Sequence, residues 1–267
     1  MPIAGIVLLG PAVASAEWPE HGHDSIISRY RETTRRIVDS VLAGNDAYDK
    51  LEELCLTIGH RLSGSKELEQ AIDWAIRRLR RDGAENIRRE KVVVPHWVRG
   101  EEWAEMLQPR RERLHMLGLG GSVGTPPEGI TAEVEVVTDE KELEKLGEQA
   151  KDKIILFNHV MPPYDASRGS GYGEAVRFRY NAARWAAQYG AVAAVIRSVT
   201  ARSLRSPHTG AMRYGDAKVK IPAAALSIED AEMIARLRKR GIPVRIRAEG
   251  REQLAAQGVD LVVVPRW

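Results

Sequence analysis

The sequence is short of several things, and each shortage excludes a class of protein. It has one cysteine, Cys55, so no disulfide can form within the chain and a thiolate metal cage is out of reach. Cys55 sits with Leu51, Leu54 and Ile58 at helical spacing, which predicts a small buried apolar filler rather than a nucleophile. No segment carries the ~18 apolar residues a bilayer-crossing helix needs. Charge of one sign is not in excess: 40 basic and 37 acidic residues leave +3. The basic clusters Arg77-Arg78-Leu79-Arg80-Arg81 and Arg236-Leu237-Arg238-Lys239-Arg240 fall at the C-terminal ends of predicted helices. There they oppose the negative end of the helix dipole, so no nucleic-acid partner is expected.

Metal-site patterns are missing too. There is no H-E-x-x-H and no H-x-D, and the glutamate pairs Glu52-Glu53 and Glu101-Glu102 have no such partner. The seven histidines are His21, His23, His60, His96, His115, His159 and His208. Only His21-Gly22-His23-Asp24 forms a cluster, in a terminal stretch where order is poor. A catalytic zinc needs three or four rigid ligands with oriented supports. No catalytic, cofactor-binding or metal-binding residue is therefore assigned.

Two glycine motifs are decoys. Gly120-Gly121-Ser122-Val123-Gly124 satisfies the G-x-S-x-G pattern of a nucleophile elbow. That elbow needs a helix immediately after the serine, and Thr125-Pro126-Pro127 denies it one. The dinucleotide fingerprint fails at Val123, and at Glu174 in the second glycine run, where a third small residue is required.

The elements that are present read as α/β. Residues 1–16 resemble a secretory leader, with an apolar run Ile3 to Leu9 and Ala14-Ser15-Ala16 ahead of Glu17. Export to a secreted or periplasmic location is expected. Amphipathic spacing predicts helices over 24–42 and 47–58 and a third, capped by Ser65, that ends at Asp82-Gly83. Strands are predicted over 86–94, closed by Pro95, then 113–119 and 130–137. The intervening glycine- and proline-rich stretch 118–129 is expected to be a domain junction. Beyond it strands at 153–157, 191–196, 221–226 and 244–248 alternate with helices at 175–189 and 228–240, the second capped by Ser227.

Several stretches resemble, in order, the carboxypeptidase Q-like (plasma glutamate carboxypeptidase-like) zinc exopeptidases. They are YDKLEELCLTIGHRLSGS from Tyr48, VVVPHWVRGEE from Val92, LGLGGSVGTPPEGITAEV from Leu117 and FRYNAARWAAQYGAVAAVIRSV from Phe178. SPHTGAMRY and KIPAAALSIEDAEMIARL come next. The resemblance implies an incomplete N-terminal part of an α/β peptidase domain over 17–115. It implies an inserted α/β protease-associated domain over 116–247, and it leaves 248–267 as an unmatched tail. In such enzymes two bridged zinc ions activate water, held by an H-x-D, a further Asp, a Glu-Glu pair and a later His, all after the insert. None of these has a matching position here. The resemblance thus implies a truncated exopeptidase, without zinc of its own and inactive alone, that meets a peptide substrate only when full length.

The alternative is a protease-associated binding module for peptides or a protein partner. A hydrolase using Ser122 is the third reading, which the decoy argument disfavours. Arg197-Ser198 and His208-Thr209-Gly210 match family positions in the insert; they either hold a turn or border the substrate cleft. The insert is expected to fold, with the first ~90 residues after the leader loosely attached to it.

Overall fold

The computed structural model describes residues 23–202 and 204–263. The expected leader, 1–16, and part of the His21–Asp24 cluster lie outside them. The chain divides into two compact units at Gly59/His60.

The first unit holds α1 (His23–Ala43) and α2 (Asp46–Thr57). Their boundaries agree with the hydrophobic period. Their apolar stripes stay open: Ile27, Tyr30, Val38 and Val41 on α1 and Tyr48 and Leu51 on α2 are all exposed. Cys55 is exposed as well. The expectation that it fills a core is corrected, because neither helix has a fully buried residue among those described.

The second unit begins with α3 (Lys66–Arg81), capped as expected by Ser65, whose Oγ accepts from Leu68 N at 3.1 Å. Ile72 and Ile76 are its buried face. β1 (Arg88–Val98) runs through Pro95 rather than stopping there, and pairs antiparallel with β10 (Gln253–Val263) over eleven residues. A two-stranded ribbon leaves each strand an open edge, where a proline is tolerated. The family-unmatched tail therefore contains a full-length strand.

The large sheet contains β2 (Glu102–Gln108), β3 (Glu112–Leu114), β4 (Met116–Gly118), β5 (Ile130–Val137), β6 (Ile154–Phe157), β7 (Ala193–Arg197), β8 (Ala223–Leu226) and β9 (Arg245–Gly250). Their order is β3-β2-β9-β5-β6-β7-β8-β4. β5 to β8 are parallel and the flanking pairs antiparallel. The sheet thus starts at Glu102, ahead of the expected boundary at 116, and it takes in both sides of the 118–129 stretch.

β3 and β4 occupy opposite edges of this sheet, yet only His115 separates them in sequence. Consecutive Cα atoms lie about 3.8 Å apart, so the sheet must curl until its edges meet. His115 holds the corner: its N–H donates to Asp230 Oδ2 at 2.7 Å, and its carbonyl accepts from Ser227 N at 2.9 Å.

Alternation along the strands divides the core in two. Ile155, Phe157, Ala194, Ile196, Ala223 and Ala225 face α5 (Tyr172–Ala187), through Phe178, Ala182 and Ala186. Ile154, Leu156, Ala193 and Leu226 face α6 (Ile228–Lys239), through Ala231 and Ile234, together with Met106, Val134 and Ile246. α4 (Glu140–Leu146), capped by Asp139, adds Leu143 on the α5 side.

Candidate functional site

In open parallel sheets, ligand-facing loops gather beyond the carboxyl ends of the strands. Here the long connections after β6 (158–171) and after β7 (198–222) leave from that end. They bring Asn158 to Arg197 and His208 to Tyr172.

Arg197, the last residue of β7, donates from one Nη to Asn158 Oδ1 at 3.2 Å and to Glu232 Oε2 on α6 at 3.1 Å. Its guanidinium ties three elements at one edge. Ser198 is buried: its Oγ donates to Leu226 O at 2.6 Å and accepts from His208 N at 2.8 Å. Thr209 Oγ1 donates to Gly118 O at 2.8 Å, and Gly120 N donates to Gly210 O at 2.9 Å. Ser198, Thr209 and Gly210 therefore hold the turn. The His208 ring lies outside that hydrogen bonding, exposed and edge-on to Tyr172 with centroids 6.3 Å apart.

Under the turn, Arg179 of α5 is buried, donates to Tyr172 Oη at 2.8 Å and lies over the Tyr180 ring. His159 stacks on Phe178 at 4.3 Å, with Nε2 3.7 Å from Glu174 Oε1. Burial pushes its pKa below the usual value, while the Glu174 charge pulls the other way. The pinned turn leaves Thr200, Arg202, Leu204, Ser206, Pro207, His208 and Ile228 around an open hollow of about 770 Å³. Arg202 is its charged group, so the hollow suits a ligand with an anionic end and an apolar body.

Ser122 is placed as the sequence argued, outside any nucleophile elbow. It is buried, its Oγ donates to Val123 O at 2.8 Å and accepts from Ala223 N at 2.8 Å, and no helix succeeds it directly. The second glycine run opens α5, but from a long loop rather than a strand. The remaining histidines stay apart: His60 in the loop before α3, His96 in β1, and His115 at the sheet corner. Among the described residues no three His, Cys, Asp or Glu side chains converge as a metal ligand set.

Sequence reasoning missed one cluster of chemistry-bearing groups. Glu102, its side chain only 8% exposed, lies beside Arg99. Glu252, in the link between β9 and β10, is pushed up to about 7 by burial and by Glu102. Glu102 was visible only as half of an acidic pair. Nothing local marks Glu252 as its neighbour, since the two meet only after the whole large sheet has formed.

No family profile matches the chain. Among curated proteins it is 45% identical to carboxypeptidase Q of Mus musculus over 226 residues, 84% of this chain and 46% of that protein. It is 47% identical to carboxypeptidase Q of Homo sapiens over 205 residues, 77% of this chain and 42% of that protein. Among solved structures, a peptidase M28 precursor from Shewanella amazonensis SB2B superposes with a TM-score of 0.81 at 32% identity, covering 88% of this chain and 53% of that one. A zinc aminopeptidase from Bacillus subtilis shares the fold, with a TM-score of 0.56 at 19% identity over 81% of this chain and 45% of that one. No helix among the described residues is long and apolar enough to cross a membrane. The chain is a homologue of the carboxypeptidase Q peptidases with an M28-type α/β fold, and it spans about half the length of the curated relatives it matches.

Proposed function

We propose that this chain supplies the substrate-facing half of an exported zinc exopeptidase and does not hydrolyse peptides by itself. The observation that supports it is the match to carboxypeptidase Q over 84% of the chain but 46% of the relative. In this reading residues 116–247 act as a protease-associated insert, and the metal ligands belong to a part of the family fold that these residues do not include. The helices of the first unit fit the same reading. Val41 is 67% exposed and Leu51 55% exposed, and an amphipathic helix with an open stripe is one side of an unfinished interface. The peptidase half that bears the metal would cover them.

The chemistry left to this chain is binding and orientation. Arg202 would attract the carboxylate of a peptide chain end, Leu204 and Pro207 would take an apolar side chain, and His208 against Tyr172 would close one wall. Acting alone, the same hollow would make the chain a peptide-binding module, the second reading. Titration calorimetry with a dipeptide and with its C-terminal amide tests the placement. Binding of the acid, weakened at least fivefold by amidation and by Arg202→Ala, is expected. Equal affinity for acid and amide, or no binding, would remove the hollow from the substrate path.

A further inference from the structure

Two chain segments join the β1–β10 ribbon to the large sheet. One leaves β1 through Arg99 and enters β2 at Glu102; the other leaves β9 at Gly250 and enters β10 through Arg251 and Glu252. They run side by side, with Arg251 N donating to Glu101 O at 3.0 Å. Two carboxyls and one guanidinium meet there. Arg99 donates to Glu102 Oε1 at 2.8 Å and to Gly118 O at 2.9 Å, and Gly118 N donates to Glu102 Oε2 at 2.9 Å.

Glu252 enters the same space from the returning segment. A Cβ on Gly118 would collide with both carboxyls, and one on Gly250 would collide with that of Glu252, so the glycines let the acids close in. Glu252 Oε2 is buried and has no hydrogen-bond partner among the described residues. One cation thus serves two acids, and Arg99 and Gly118 N are both directed at Glu102. A second buried negative charge at this point is unfavourable, and a proton between the carboxyls removes it.

We propose that Glu102 and Glu252 form a proton-dependent latch: one proton held between them fastens the two joining segments, and its loss loosens the β1–β10 ribbon from the large sheet. The groups facing Glu252 are Glu102 from β2, Arg99 from the preceding link and Tyr214 from the loop after β7. Its neighbour Arg251 is turned away, toward Pro127 O and Glu249.

Linkage sets the direction. The folded chain holds the Glu252 proton up to about pH 7, whereas an unperturbed glutamate releases it near 4.5. Between those values the folded state binds more protons than the unfolded one, so the contribution of this group to stability falls as pH rises, and above about 7 it is constant.

Hydrogen exchange on the intact chain, corrected for the intrinsic pH effect, reads the latch. The β1 and β10 amides should open at least tenfold more often at pH 8.5 than at pH 5.5. Glu252→Gln, which keeps the neutral form, should remove that difference. A carbon-13 titration of the glutamate carboxyls in the unmutated chain gives a second reading, independent of any variant: one midpoint near 7 is expected. Equal protection at the two pH values, an unchanged pH response in the Gln variant, or a Glu252 midpoint near 4.5 would each overturn the latch.

Discussion

Ser122 takes its meaning from the residues on its C-terminal side. The sequence places it in a G-x-S-x-G frame, and the prolines after it are enough to exclude the elbow. What the sequence could not show is the use the fold makes of the hydroxyl, which accepts the amide of Ala223 a hundred residues away. Removing that acceptor strands a buried N–H, which costs roughly 1–3 kcal/mol. Ser122→Ala should therefore lower unfolding stability in urea by about that amount. Peptide affinity at the hollow should be unchanged, which a substrate-contacting role would not allow. Cys55 is the opposite case: its spacing is that of a core residue, yet it lies exposed. Helical period identifies a face that wants cover, and it cannot say whether the cover is present.

Helices and central strands were legible because local chemistry marks them. Ser65 and Ser227 cap their helices through their hydroxyls as predicted, and the strand at 130–137 matches β5 residue for residue. β2, α4 and β10 were not predicted. β2 reads Glu-Trp-Ala-Glu-Met-Leu-Gln, with charged residues among its apolar ones, and it becomes a strand by pairing with β9 and β3. The split of the 113–119 strand at His115 was equally hidden, because the corner depends on Asp230 in α6. Asp230 is 1% exposed, with Nδ1 of His115 3.1 Å from its Oδ2. Asp230→Ala should leave the His115 amide without its acceptor and free the sheet corner. A loss of about 2–3 kcal/mol in denaturant unfolding is expected, with α6 keeping its Ser227 cap. A change within a few tenths of a kcal/mol would mean the corner is held by pairing alone.

At the scale of the molecule, the compact unit from His60 onward includes α3 and β1, and β1 pairs with β10 there along its whole length. The likeness to the carboxypeptidase Q peptidases was legible in ordered stretches of sequence, and the superposition on the peptidase M28 precursor agrees with it. The candidate hollow was legible only as Arg197-Ser198 and His208-Thr209-Gly210. Its walls come from loops whose path is set by the strands beneath them, and most of the matched residues hold the turn rather than face the hollow.

In the proposed function these residues bind and orient a peptide end, and the metal chemistry of the carboxypeptidase Q relatives lies outside them. Zinc content of the purified, zinc-equilibrated and desalted chain, read by elemental mass spectrometry alongside dipeptide hydrolysis, tests it most directly. Well below one zinc per chain, with no chelator-sensitive turnover, is predicted. Two zinc ions retained per chain together with hydrolysis that a chelator abolishes would contradict it.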